Sequence, residues 1–223
     1  METIQVLPIR VRVTAILRKA LLSGEYRPGE ELSLTDVAAK LGVSRTPVRE
    51  AFQSLAAEGL LELRMNRGAI VTGIDEKFIQ DHFEVRILLE AEAAARAARS
   101  QMDTGELAAL QQWALESQSA MSEQEYQSYN QQFHTAIWKA ADNNKLFQLL
   151  SSLWNGPSSA TEQRDRGHEL RSIQEHRDIL QCITEGAEEK ARAAMEGHIR
   201  RSMGNILFRF RQSRETLGEE KRG

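Results

Sequence analysis

The sequence VSRTPVREAFQSLAAEGL, residues 43–60, has the pattern of a helix with two different faces. Ser44 is a residue type that caps a helix start through its hydroxyl, and Pro47 suits a first turn, which does not use its missing N–H. Arg45, Arg49 and Gln53 recur at every fourth position and share one face. The apolar residues recur at the spacing of a buried stripe: Val48, Ala51, Phe52 and Leu55.

Two guanidinium groups and an amide on one exposed helix face suit phosphate oxygens and the base edges of a DNA major groove. The same stretch is equally typical of an ordinary amphipathic helix in a soluble protein. The choice between the two interpretations therefore depends on the neighbouring sequence.

The flanking segments predict a winged helix-turn-helix. An apolar stripe from Ile9 to Leu21 predicts a first helix, and Ser33 precedes a short second helix over 34–41. Gly42 supplies the turn into the stretch quoted above, which completes a helix-turn-helix. After residue 60 the apolar period becomes two, which predicts a hairpin over 61–71 with basic residues at its tip.

The overall composition excludes a generally basic, nucleic-acid-coating protein. The 223 residues carry a net charge of −3, and residues 1–75 hold 10 basic against 9 acidic side chains. Any DNA binding must therefore come from a local patch. Cys182 is the only cysteine, which fits a reducing compartment. The N-terminus lacks an apolar signal core, and no apolar run approaches the ~20 residues of a membrane span, so we expect a cytoplasmic protein without membrane contact.

The second part of the chain has the pattern of an all-helical domain. Short breaks separate six predicted helices, near 76–100, 104–121, 123–141, 144–164, 169–185 and 188–213. The segment Asn155–Pro157 should kink or split the fourth of them. We therefore predict a mainly α fold with two domains. Residues 1–75 form a winged-helix DNA-binding domain, and residues 76–223 form an antiparallel six-helix bundle for effector binding and dimerisation.

Three histidines of this second part lie on helices that could face one another. Asn130 and His134 stand four residues apart on one helix face, while His176 and His198 belong to the last two helices. Three imidazoles and an amide oxygen would suit zinc or another first-row divalent ion. A single histidine is more often a packed or surface residue than a ligand, and spacing alone does not show convergence.

The phrase LGVSRTPVREAFQSLAAEGLLE, followed by NRGAIV, resembles the winged-helix domain of the GntR family of bacterial transcription regulators. The resemblance implies that operator DNA is contacted from the start of the third helix, with two further residues at the wing tip. The implied contact residues are Ser44, Arg45, Thr46, Arg49, Arg67 and Gly68.

The second part resembles the FCD effector domain of the FadR subfamily, through YNQQFHTAI, EHRDIL and AMEGHIR. The six-helix count points to the VanR-like branch. The resemblance implies a divalent metal ion, zinc first with nickel or manganese as alternatives, that positions a small organic acid. Arg86 would border the effector cavity, or alternatively form an ordinary ion pair with Glu90. The implied metal ligands are Asn130, His134, His176 and His198.

These features together predict a DNA-binding transcription regulator and not an enzyme. A homodimer would place two recognition helices in successive major grooves of double-stranded operator DNA, and a carboxylate-bearing effector at the metal site would control that binding. One rival is a metal-dependent enzyme with a DNA-targeting module, although the chain has no H-E-x-x-H motif. Glu175 directly precedes His176, but we expect it to point to another side of its helix. Another is a constitutive DNA-binding protein that senses no effector.

Overall fold

Three short helices at the N-terminus surround an apolar core. The computed structural model describes residues 8–22, 24–65, 68–72, 75–100, 103–154 and 165–219, with side chains of the last helix described up to residue 212. The helices are α1 (Ile9–Leu22), α2 (Leu34–Leu41) and α3 (Arg45–Ala57). Val48 and Phe52 of α3 are buried among apolar residues of α1 and α2, as their spacing predicted.

Both ends of α2 have the predicted capping residues, whereas the start of α3 lacks the predicted capping hydrogen bond. The Ser33 hydroxyl accepts a hydrogen bond from the backbone N–H of Asp36 at the start of α2. Gly42 ends that helix with a left-handed backbone, φ 64°. Ser44 occupies the N-cap position of α3, but its side chain makes no capping hydrogen bond. Ile9, the first residue of α1, is also more exposed than its place in the apolar stripe suggested.

A three-stranded antiparallel sheet completes the winged helix. The strands are β1 (Glu31–Leu32), β2 (Leu61–Arg64) and β3 (Gly68–Val71), in the order β1-β3-β2. Arg64 pairs with Gly68 at the closed end of the predicted β2–β3 hairpin. The short strand β1 was not predicted, because two residues are too few to show a period.

Six further helices make up the second segment within the described residues, which agrees with the predicted number. They are α4 (Glu76–Arg99), α5 (Gly105–Ser117), α6 (Glu123–Ala140), α7 (Asn144–Leu153), α8 (Arg166–Thr184) and α9 (Glu188–Glu219). The α7 helix ends immediately before the Asn-Gly-Pro break, earlier than the predicted end at residue 164. Residues 155–164 lie outside the described part of the chain.

The described chain divides into two compact units. One unit contains the residues up to Glu76 together with Trp154 and the end of α9 from Arg209. The other contains the rest of α4 to α9. Among the described helices, none has the length and apolar content that crossing a membrane would require.

Candidate nucleic-acid interface and metal centre

The start of α3 presents polar side chains to solvent. Ser44, Arg45, Thr46 and Arg49 are all exposed, and Val48 on the opposite side of the helix is fully buried. Within the described part of the chain, the side chains of Arg45 and Arg49 make no hydrogen bond and no ion pair. Both guanidinium groups are therefore available to an external partner, and phosphate or guanine edges are the ones that match their forked donors.

A buried arginine fixes the far end of α3. Arg18 of α1 is 1% exposed and donates two hydrogen bonds to the carboxylate of Glu58, at 2.8 Å from Nε and 2.5 Å from Nη2. Its Nη1 also donates to the backbone carbonyl of Trp154 at 2.8 Å. Because Glu58 is the C-cap residue of α3, this pair holds the helix against α1. Nothing in the spacing of Arg18 distinguished it from a surface arginine.

The β2–β3 hairpin, which forms the wing, has exposed side chains near its tip and a buried glycine at the start of β3. Met65 and Arg64 are exposed near the hairpin tip, and Arg64 lies 3.4 Å from the carboxylate of Glu62. Gly68 is buried, and a Cβ built on it would lie 1.9 Å from the carbonyl oxygen of Leu32. The structure thus gives Gly68 a packing role in the sheet. The predicted DNA contact Arg67 lies outside the described residues.

The three predicted histidines meet in the interior of the second unit. His134 of α6, His176 of α8 and His198 of α9 are each at most 3% exposed. Each offers a ring nitrogen within 4.8 Å of those of the other two. The Nε2 atoms of His176 and His198 are 3.3 Å apart. Asn130 lies half-buried on α6, one turn before His134.

Glu90 of α4 binds the outer edge of His134. The carboxylate is fully buried and lies 2.9 Å from Nδ1 of His134 and 2.8 Å from Nε1 of Trp138. Nη2 of Arg86 donates to it at 2.6 Å. Burial by itself raises the pKa of Glu90, but His134 and Arg86 more than offset that effect and hold the pKa well below its ordinary value. The ion pair that the sequence offered as the alternative role of Arg86 is therefore present, and it belongs to the histidine cluster.

Glu175 of α8 binds the outer edge of His198. Its Oε2 lies 2.7 Å from Nδ1 of His198, and Arg201 of α9 donates to both carboxylate oxygens at 2.6 Å. Arg201 also donates to the Ser172 hydroxyl at 2.7 Å. Burial raises the pKa of Glu175, but the hydrogen bonds from His198 and Arg201 outweigh it and lower the pKa to about 2. This carboxylate is ionised at neutral pH.

Tyr129 of α6 binds the outer edge of His176. Its hydroxyl lies 2.8 Å from Nδ1 of His176 and donates to Oε1 of Gln111 at 2.6 Å. The amide nitrogen of Gln111 donates to the carbonyl of Ile173 at 2.9 Å. Phe133 stacks on the His176 ring with centroids 4.0 Å apart, which restricts the ring's orientation.

The oxygen atoms that contact Nδ1 of the histidines determine where the ring protons lie. A carboxylate only accepts hydrogen bonds, so His134 and His198 each carry a proton on the Nδ1 atom that faces it. Burial and the neighbouring imidazoles lower the pKa of His176 well below its usual value, and burial lowers that of His198 to about 4. Imidazoles whose Nδ1–H groups are oriented by oxygen acceptors are the usual arrangement of histidine metal ligands. The donor set therefore fits a first-row divalent ion such as zinc.

The sequence predicted the three histidines of this cluster but not the side chains that contact their Nδ1 atoms. Glu90 was considered only as a partner of Arg86, and Glu175 was expected to point away from the His176 side of its helix. That direction is what brings Glu175 to His198. Tyr129 and Gln111 carried no signal, because buried tyrosines and glutamines on helices serve many packing roles.

Comparison with known proteins finds a match for each of the two parts of the chain. Residues 9–71 match the family of bacterial regulatory proteins named gntR, and residues 81–201 match the FCD domain. The chain belongs to the GntR family of bacterial transcription regulators, with an FCD domain. It is thus a DNA-binding transcription regulator, and its mainly α fold is the predicted one.

Two relatives and one solved structure are similar to this GntR regulator. It is 28% identical over 192 residues to the Nta operon transcriptional regulator of Aminobacter aminovorans, covering 83% of this chain and 89% of the relative. It is 32% identical over 150 residues to the gluconate operon transcriptional repressor of Bacillus subtilis, covering 65% and 58%. The structure of McbR/YncC from E. coli superimposes with a TM-score of 0.70 at 21% identity, covering 92% of this chain and all of that one, which shows a shared fold.

Proposed function

We propose that this GntR regulator is a repressor whose affinity for its operator changes when a small organic acid binds at a metal ion in the FCD domain. The observation that carries the proposal is the convergence of His134, His176 and His198, each with its Nδ1 edge held by an oxygen atom. Such a cluster is costly to bury without a cation, since unprotonated ring nitrogens then face one another.

The proposed DNA contacts follow from the exposed start of α3. Arg45 and Arg49 would read base edges or phosphates, while Ser44 and Thr46 would donate to the DNA backbone from the helix N-terminus. Arg67 and the backbone of Gly68 would contact DNA from the wing. A regulator with this role works on bacterial DNA and therefore in the cytoplasm, and a homodimer would present two such helices to a palindromic operator.

The proposed ligands of the metal are the three histidines and the amide oxygen of Asn130. Zinc is the first candidate, and nickel or manganese are the alternatives. When bound, the ion supplies an electrophilic position for a carboxylate oxygen. Asn130 is neutral, so the metal charge would be balanced by the anionic effector. Arg86 would border the effector, with its guanidinium held in place by Glu90.

The domain division at residues 75 and 76 would separate these two tasks. Effector binding in the C-terminal domain would favour one arrangement of the paired winged helices and so change operator affinity by a population shift. Operator release on effector binding would be the behaviour of a repressor.

The test combines selection of bound DNA sequences with gel-shift titration of variants. We expect Arg49→Ala to weaken binding to the selected operator by at least tenfold, because it removes a bidentate contact. Arg177→Ala is the matched control, since it removes an exposed arginine of α8 that pairs with its neighbour Asp178. Retention of operator affinity within twofold by Arg49→Ala would refute the assignment of that residue.

The effector half of the proposal is tested by metal analysis and by melting curves with a panel of organic acids. We expect about one metal ion per chain in the wild type and none in His134→Ala. A bound metal with an acid-dependent rise in melting temperature supports the proposal. Turnover of an added acid would favour the enzyme alternative. Absence of both metal and thermal shift would leave a constitutive DNA-binding protein.

A further inference from the structure

Two buried side chains control which nitrogen of His176 carries a proton. We propose that the carbonyl of Ile173, acting through Gln111 and Tyr129, fixes the His176 proton on Nδ1 and so leaves its Nε2 lone pair to the histidine cluster. Gln111 and Tyr129 are then positioning residues for a metal ligand, an assignment that rests on the proposed metal site for its functional meaning.

The first step concerns the orientation of the Gln111 amide. Its Nε2 lies 2.9 Å from the carbonyl oxygen of Ile173. A backbone carbonyl only accepts hydrogen bonds, so the amide nitrogen must face it. The amide oxygen of Gln111 is thereby turned toward the hydroxyl of Tyr129, which lies 2.6 Å away.

The second step concerns the single proton of the Tyr129 hydroxyl. An amide oxygen only accepts, so Tyr129 donates its proton to Gln111. The phenol oxygen then has only acceptor capacity for Nδ1 of His176, which lies 2.8 Å away. His176 must therefore be the donor in this contact, with its proton on Nδ1.

The third step shows what the relay excludes. With its proton on Nε2, His176 could donate to Nε2 of His198 at 3.3 Å and close the cluster with an internal hydrogen bond. That tautomer needs Tyr129 to donate to Nδ1, which would bring its oxygen and the Gln111 oxygen together at 2.6 Å without a proton between them. All three side chains are at most 2% exposed, so the mismatch could not be relieved by rotation into solvent.

The other two histidines need no such relay. His134 and His198 face carboxylates, which fix their tautomers directly because they only accept. A phenol both donates and accepts, so Tyr129 by itself leaves both tautomers of His176 open. The distant carbonyl of Ile173 removes that ambiguity.

The experiment measures ring-nitrogen chemical shifts by NMR in metal-stripped, full-length protein with ¹⁵N-labelled histidine. In the wild type we expect His176 to show a protonated Nδ1 and an unprotonated Nε2. In Gln111→Met the hydroxyl of Tyr129 is released to donate to Nδ1, and a proton on Nε2 can then be donated to Nε2 of His198, so we expect the inverted tautomer. Zinc affinity, measured by chelator competition, should fall by about 10- to 100-fold in that variant.

Two further variants separate the relay from general packing. Tyr129→Phe removes the acceptor and should also move the His176 proton to Nε2. Tyr126→Phe is the matched control, because it removes another buried hydroxyl from the same helix, one that bonds Ser172 outside the relay. We expect Tyr126→Phe to leave the His176 tautomer unchanged.

The outcomes distinguish the relay from the metal proposal. A wild-type His176 protonated on Nε2, or a Gln111→Met protein with an unchanged tautomer, would overturn the relay. A wild type that shows the expected tautomers and their inversion in Gln111→Met but binds no zinc would support the relay and refute the metal site.

Discussion

Glu90 holds one of the three histidines of the cluster, His134, together with two neighbouring side chains. Its buried carboxylate accepts from Arg86, His134 and Trp138, which come from two helices. Removing its charge would break its ion pair with the buried guanidinium of Arg86, and breaking a buried ion pair is strongly destabilising.

We expect Glu90→Gln to lower the free energy of unfolding of the metal-free protein by about 3 kcal/mol, measured by urea denaturation. Glu92→Gln, on the same helix but in a partly exposed ion pair, should cost less than about 1 kcal/mol. Equal losses in the two variants would show that the Glu90 carboxylate has no special role.

Gly68 is required by the sheet for two reasons. Its backbone has φ +128°, and the space for a Cβ is taken by the carbonyl of Leu32. We expect Gly68→Ala to destabilise the winged helix by about 1–3 kcal/mol through backbone strain and by separating β1 from β3. Thermal melting and gel-shift titration should both show the loss.

A second glycine provides a control of opposite sign. Gly197 lies within α9, and a Cβ there would meet no atom within 4 Å. Gly197→Ala should stabilise the helix by roughly 0.5–1 kcal/mol. If Gly68→Ala melts at or above the wild-type temperature, the close approach of β1 and β3 is not tight in solution.

Individual residues were predictable where spacing or chemistry was distinctive. His134, His176 and His198 could be singled out because imidazoles are rare and strong ligands, and the structure brings them together. Arg18 could not, because its burial depends on Glu58, forty residues away along the chain. Contacts of that kind arise from tertiary packing and leave no local pattern.

At the scale of elements, Glu92 connects α4 to α9. It accepts from Arg96 on its own helix at 2.7 Å and from Arg192 at 2.8 Å. The hydrogen bonds from Arg96 and Arg192 lower the pKa of Glu92 below its model-peptide value of 4.5. Since the folded state holds this carboxylate ionised, the stabilisation is present above that value and is lost as the pH falls below it.

We therefore expect the difference in unfolding free energy between wild type and Glu92→Gln to be about 0.5–1 kcal/mol at pH 7 and to decrease as the pH falls below 4.5. Urea denaturation across this range measures it. A difference that is independent of pH would mean that the pairs stabilise through packing and not through charge.

Most elements followed from periodicity and caps. Ser33 and Gly42 marked both ends of α2, whereas the helix predicted over 144–164 ends at Leu153, two residues before the segment that was expected to kink or split it. Strand β1 could not be predicted, because its pairing with β3 depends on the tertiary approach at Gly68. Elements that exist only through a distant partner have no sequence period of their own.

At the scale of the whole molecule, operator binding should depend strongly on salt. The chain carries a net charge of −3, so attraction to DNA must come from the local basic groups of the winged helix. If each half of a dimer neutralises three or four phosphates, log K should fall with log salt at a slope of roughly −5 to −7.

Gel-shift or anisotropy titrations between low and moderate salt would measure this slope, and Arg177→Ala should leave it unchanged. A slope near −3 would indicate that a single winged helix binds. It would contradict the proposed dimer on a palindromic site.

The separation of exposed and buried positions on α3 has a practical consequence for engineering. Randomising codons 45, 46, 49 and 53 would vary the chemistry offered to DNA while the apolar side of the helix stays intact. A library of this kind should yield folded proteins with altered operator preferences at high frequency. The same diversity placed at 48, 52 and 55 would mainly produce insoluble chains, because these positions are buried. The exposed face of α3 can therefore be varied while its buried face is kept.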